Sequence, residues 1–339
     1  MPEYPNLLTQ IRSISPVDLD SLDSSVAERY AARGEPFVNM TSNQIFAYNH
    51  AIGDGADILK DAIKQVAARG LDTSAEGFSD EVADLFIVLA IKNIYPHILG
   101  KVHAQASPTR AHDTKKTVNH AKKLVDLFVA NGIAKDRVCI KIPSTVEALI
   151  ACSQLSKMGI QTLGTAIFSV PQALAASQAG CIHISPYLWE LRVHFDKSFY
   201  KEYASPVTEH HSIQEIQAIL EAYAKVGSKT IVIPASVVKP VEVVALASIR
   251  SHRLTLFPAI LETMEGLPAV PANELVAPKT PALDASIVEK DYLAEDGLLL
   301  RQAIEADSEV SRKLEDALTI FGQYEKDLVI EIKRVARTI

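Results

Sequence analysis

The chain has 339 residues, 48% hydrophobic and 22% charged, the mixture of a globular protein that buries a large core, which excludes a chain disordered throughout. A formal charge of −7 and a pI near 5.8 put net repulsion in the way of a nucleic-acid partner and leave a small molecule as the expected ligand. Cys139, Cys152 and Cys181 match neither a disulfide framework nor a zinc knuckle, Met1 to Gln10 lacks the basic start and apolar core of a signal peptide, and no stretch reaches the apolar length of a membrane span, so a cytoplasmic protein is expected.

In chain order, Ile14 to Asp20 is the first short apolar run, with Val17 and Leu19 on one face of a strand and Asp18 and Asp20 on the other. Phe37 to Met40 follows, then a helical stretch from Asn43 to Arg69 and another from Ser79 to Ile98. Val102 to Ala106 is the third strand, Lys115 to Asn131 a helix, Val138 to Ile142 the fourth strand and Ser144 to Lys157 its helix. Ile160 to Phe168, Cys181 to Ser185, Thr230 to Pro234 and Leu254 to Pro258 complete the strands, with helices Ser169 to Gln178, Ile213 to Lys225 and Val238 to Ser248 between them. Within one such helix, Val118, Ala121, Leu124, Val125 and Phe128 recur at three- and four-residue steps, which buries one face against a sheet.

Eight strand runs alternating with helices predict a parallel sheet closed by helices, so residues 1–265 are read as a single (β/α)8 TIM barrel. No GxGxxG follows an early strand to support the doubly wound alternative. Residues 266–296 read as a loop-rich connection because Gly266 to Pro281 is rich in proline and small residues, and residues 297–339 as one long charged helix. That helix is expected to pack on the barrel exterior or to serve as a contact in a homodimer or higher homo-oligomer; a lid over the strand ends is the rival reading.

The polar residues on the strands suggest the chemistry. In Val138-Cys139-Ile140-Lys141-Ile142-Pro143, alternation turns Cys139 and Lys141 to the face opposite three apolar residues, and both faces of a barrel strand are covered. Burying an ammonium is costly unless it is paired or made neutral, and a neutral amine is what carbinolamine formation requires; the rival reading is that the lysine lies near the strand end and its stem reaches to water. Asp18 or Asp20 could move a proton beside it. His103 and Gln105, Gly164-Thr165 and Ser185-Pro186-Tyr187 also bring polar groups to strand ends, where barrel enzymes keep their active sites.

Asp136 to Thr145 resembles the lysine-bearing strand of the transaldolase family. The likeness continues through Gly159-Ile160-Gln161-Thr162-Leu163-Gly164-Thr165, Gln172-Ala173, Ile184-Ser185-Pro186-Tyr187 and the earlier Thr41-Ser42-Asn43-Gln44, over roughly the first 260 residues. The resemblance implies a Schiff-base enzyme that moves or cleaves a dihydroxyacetone-type unit from a ketose to an aldehyde, in carbohydrate metabolism of the pentose-phosphate type, with no metal or organic cofactor. It implies Lys141 as nucleophile and Asp20, rather than Asp18, as acid/base. Thr165 matches the threonine that holds a water, and Asn43, Ser185 and Ser236 match substrate-binding positions. Gln105 and Tyr187 stand where transaldolases proper carry glutamate and phenylalanine, which is similar to the fructose-6-phosphate aldolase branch. Glutamine accepts no proton, so Tyr187 is the implied proton-transfer group.

Glu190 and Val238 fall where the family carries phosphate-binding arginines, and Leu163 where asparagine is usual; Lys239, Arg192 or Arg110 could compensate. These departures keep two alternatives open: an aldolase acting on an unphosphorylated substrate, and a barrel that binds a ligand with its lysine vestigial. A metal-dependent lyase is disfavoured because His103, His112 and His120 lack a ligand pattern and His210-His211 are adjacent.

Overall fold

Eight strands, β1 (Val17–Asp20), β2 (Met40–Thr41), β3 (Val102–Gln105), β4 (Val138–Pro143), β5 (Gln161–Ile167), β6 (His183–Pro186), β7 (Ile231–Val232) and β8 (Leu254–Leu256), form one parallel sheet in the order β7-β6-β5-β4-β3-β2-β1-β8. The computed structural model describes residues 4–278 and 283–339. Parts of two sequence expectations, residues 1–3 of the N-terminal segment and 279–282 of the proline-rich connection, lie outside the described residues. Two backbone bonds join the sheet's ends, Arg253 N–H to the Val232 carbonyl at 3.2 Å and Thr255 N–H to the Pro234 carbonyl at 3.1 Å. The ring is thereby closed, and the expected (β/α)8 barrel is the observed fold.

The strands are short but buried on both faces, because helices such as Thr114–Ala130 and Val146–Lys157 cover the side that Val138, Ile140 and Ile142 present. The opposite faces fill the barrel interior in layers. His103 pairs in register with Cys139, and one step up Gln105 pairs with Lys141, which pairs with Leu163. Among the described residues no helix is long and apolar enough to cross a membrane.

Several elements differ from expectation. The run assigned to the first strand starts inside a helix, Leu7–Ile14, capped by the Asn6 side chain. A helix at Ser24–Ala32, capped by Asp23, was not anticipated. The helix expected over Asn43 to Arg69 is two, Gln44–Ile52 and Ala56–Ala68, broken at a turn where a Cβ on Gly55 would collide with the His50 ring. A side chain at position 55 would have to displace the His50 ring.

The C-terminal segment is also two helices, Ala294–Ala306 and Ser308–Ala336, separated at Asp307, whose backbone is extended and whose carboxylate accepts from the N–H groups of Glu309 and Val310 at 3.0 Å each. An N-cap inside a charged helical pattern ends one helix and starts the next. The second helix, about 43 Å long at 1.5 Å per residue, packs on Gln44–Ile52 and Phe78–Ile94 and on the turns Pro108–Arg110 and Leu191–His194. It thus crosses the loops that leave β2, β3 and β6 and does not lie along the outer helix ring alone.

Candidate active site

Lys141 is 2% exposed, on the interior face of β4 two residues before the strand ends. Among the described residues no carboxylate oxygen lies within 4.0 Å of its amine. Burial lowers its pKa from the ordinary 10.5, against the opposing pull of the Asp20 charge. The amine faces a cavity of about 260 Å³ that Asp20, Asn43, Tyr187 and Ser236 also line.

Asp18 and Asp20 point the same way from β1, but their surroundings differ. Asp18 is locked lower in the barrel, accepting from the Asn39 backbone at 3.0 Å and side-chain amide at 2.8 Å. Asp20 Oδ1 is sealed from solvent and has no hydrogen-bond partner among the described residues. Burial pushes the Asp20 carboxyl up to about 6, with the Lys141 charge working against it. A carboxyl with that value exchanges protons near neutrality, and Asp20 lines the cavity that Lys141 faces.

Tyr187 closes another wall. The Thr165 hydroxyl donates to the Tyr187 oxygen at 3.1 Å, leaving the phenol hydrogen free for the cavity. A bulge in β5 makes this meeting possible: Thr165 pairs with Ser185 and Ile167 with Pro186, while the intervening Ala166 takes φ 55°. Burial pushes the phenol well above its ordinary value, and Asp20 adds to the shift, so Tyr187 is protonated near neutral pH. Its ring stands edge-on to Phe168 at 5.8 Å.

Gln105 lies beside Lys141 in register, and its amide donates to the Gln44 side chain at 2.6 Å, leaving its own Oε1 buried without a partner among the described residues. An orphaned acceptor of this kind suits a water or a substrate hydroxyl. Asn43 caps Gln44–Ile52, its carbonyl oxygen taking the Ile45 and Phe46 N–H groups at 2.9 and 3.2 Å, which leaves its amide as a donor for the cavity. The Ser185 hydroxyl donates to the Ile233 carbonyl at 3.0 Å, and Ser185 is not among the cavity-lining residues. Ser236 takes φ 61° and meets His194 Nε2 at 2.9 Å.

Sequence reasoning missed the residues that form the rim: Ile45, Phe46 and Asn49 on the helix Gln44–Ile52, and Leu191, His194, Phe195 and Phe257 on the turns that follow β6 and β8. His194 and Phe195 belong to an irregular turn with no periodic pattern to mark them. The residue at an expected phosphate arginine position has a structural partner, because Glu190 takes a bidentate pair from Arg312 at 2.8 and 3.0 Å. The three candidate substitutes are also engaged: Arg192 with Asp316, Lys239 with Glu202 at 2.8 Å and Arg110 with Asp80 at 3.4 Å.

One cluster of metal-ligand types lies a layer below Lys141. His103, Cys139 and His183 are buried with their ligand atoms within 4.8 Å of one another, a grouping that strand spacing alone did not reveal. The two imidazoles satisfy each other at 3.0 Å, and the positive charges of Arg253 and Lys101 act on both, which opposes a cation there.

A family model described as transaldolase/fructose-6-phosphate aldolase matches residues 17–332. The chain is similar to a transaldolase of Acidobacterium capsulatum, 30% identical over 329 residues that cover 92% of this chain and 95% of that protein. It is also similar to a transaldolase of Fusarium oxysporum f. sp. lycopersici, 34% identical over 72% of this chain and 73% of the relative. A transaldolase of Alteromonas mediterranea is 28% identical, covering 95% and 96% of the two chains.

Proposed function

Because the chain belongs to the transaldolase/fructose-6-phosphate aldolase family, we propose that it transfers a dihydroxyacetone-type unit from a ketose to an aldehyde through an enamine on Lys141. The observation that carries this reading is the unpaired, buried amine opening into a cavity beside an unpartnered carboxylate oxygen.

The neutral amine adds to the ketose carbonyl, and Asp20 supplies the proton with which the carbinolamine hydroxyl leaves as water. The iminium then draws the electron pair of the neighbouring carbon–carbon bond as that bond breaks. The adjacent hydroxyl gives its proton to a water held among Tyr187, Thr165 and Gln105, and the aldehyde departs. An enamine remains on Lys141. An incoming aldehyde is attacked by it while Tyr187 delivers a proton to the new alkoxide, and water releases the product ketose. Asn43 and Ser236 bind substrate hydroxyls, with the Asn43 amide the donor that its capping role leaves free. Ser185, its hydrogen engaged by Ile233, acts by packing or as an acceptor. If protonation and hydrolysis of the enamine outrun capture, the same residues perform aldolase cleavage, an outcome favoured by glutamine at 105 because it cannot serve as base.

Borohydride reduction in the presence of dihydroxyacetone, followed by mass mapping, tests the proposal. A stable adduct on Lys141 is expected; an unmodified Lys141 under every donor tried would sink it.

A further inference from the structure

The floor of the Lys141 cavity is built by strand residues, and its rim by the helix that follows β2 and the turns that follow β6 and β8. Five rim side chains, Ile45, Phe46, Leu191, Phe195 and Phe257, are apolar. The polar rim residues carry no charge partner for an anion: Asn49 is an uncharged amide, and His194 meets the Ser236 hydroxyl at 2.9 Å and stands edge-on to Phe257 at 6.1 Å. Burial lowers its pKa, so near neutral pH the ring is uncharged. Among the described residues that line the cavity, Lys141 is the one Lys or Arg, and its amine is consumed by the carbonyl. Three cations around the rim are held by carboxylates, Arg192 by Asp316, Lys239 by Glu202 and Arg312 by Glu190, and Lys197, two residues beyond Phe195, is exposed and does not line the cavity. Lys313 lines a separate cavity on the other side of Tyr187, together with Glu215, Asp307 and Glu309. A phosphate dianion brought to this rim would lose water without gaining a charge partner, whereas a hydroxymethyl or methyl end would pack on the aromatic rings.

We propose that the rim selects ketoses whose far end is uncharged, so that the substrate class is the neutral sugar and not its terminal phosphate ester. The inference rests on Lys141 as the Schiff-base residue and concerns the other end of the same substrate.

The test compares 6-deoxyfructose with fructose 6-phosphate. Both lack a free 6-hydroxyl and close to the same five-membered ring, so they differ at the rim in charge. Adduct formation on Lys141 under borohydride is measured against sugar concentration. The 6-deoxy sugar is expected to reach half-saturation at an equal or lower concentration than the phosphate; a lower value for the phosphate overturns the inference while leaving the lysine chemistry intact. Absence of any adduct with either sugar overturns the Schiff-base reading, and this inference with it. Phe195→Arg, at a side chain 51% exposed, adds a guanidinium to the rim and should shift the ratio toward the phosphate by about tenfold, or 1.4 kcal/mol; His194→Arg repeats the measurement at a second position. No shift in either variant means that the rim does not meet the far end of the sugar, which also overturns the inference.

Discussion

At Tyr187 and Asp20, side-chain geometry makes claims that single substitutions can check. Tyr187→Phe removes the hydroxyl to which Thr165 donates and should lower kcat about 10²-fold, with a smaller change in KM, in steady-state transfer assays; an unchanged kcat would remove Tyr187 from the proton path. Asp20→Asn tests the carboxylate by stability. The folded Asp20 carboxyl sits near 6 against an ordinary 3.8, so folding favours its protonated form. Its contribution is therefore best below 3.8 and is lost as pH rises through 6, where the buried charge costs on the order of 3 kcal/mol. Asp20→Asn should raise Tm at pH 8, with the gain shrinking through pH 6 and gone below 3.8, while activity falls. A lower Tm at pH 8 would contradict the burial argument. Strand alternation turned Lys141, Asp18 and Asp20 away from the apolar face, and it took the resemblance to transaldolases to choose Asp20 over Asp18. His194 and Phe195 were not legible, because irregular turns have no period from which to read a direction.

The long helix Ser308–Ala336 ties the rim to the barrel. Arg312 holds Glu190, and Asp316 takes both Arg312, at 2.9 Å, and Arg192, on the turn that carries Leu191 and His194 into the cavity. Further along, Tyr324 stacks on Phe195 at 5.8 Å, and Glu325 accepts from Ser107 at 2.9 Å. Since Arg312 is about one-third exposed, its pair adds little to global stability, roughly 1 kcal/mol or less. Its weight falls on the loop. Arg312→Ala should change Tm by only a few degrees while raising the ketose KM several-fold, measured by thermal melts and initial rates; an unchanged KM would show that the turn holds its position without the helix. The eight strand runs could be read because both faces are covered and the face toward the helices stays apolar. Ser24–Ala32 was hidden by its brevity and polar start, and the breaks at Gly55 and Asp307 by helical periodicity continuing on either side.

Closure of the whole barrel is what makes a lysine amine chemically useful here. A ring of eight strands, sealed by the bonds from Arg253 and Thr255 to the β7 side, removes water from around Lys141, and Asp20 offsets only part of that loss. Alternation along β4 could predict which way Lys141 points, but not how near a counter-charge would come. That distance depends on the register of β1 against β8 and β2, which only the closed fold fixes. Titration of the Nζ signal in protein labelled with nitrogen-15 at lysine, assigned by its loss in Lys141→Met, measures the outcome directly. A pKa below the ordinary 10.5 is predicted, which enlarges the neutral fraction available to attack a carbonyl; a value at or above 10.5 would mean that burial does not favour the neutral amine, and would contradict the account.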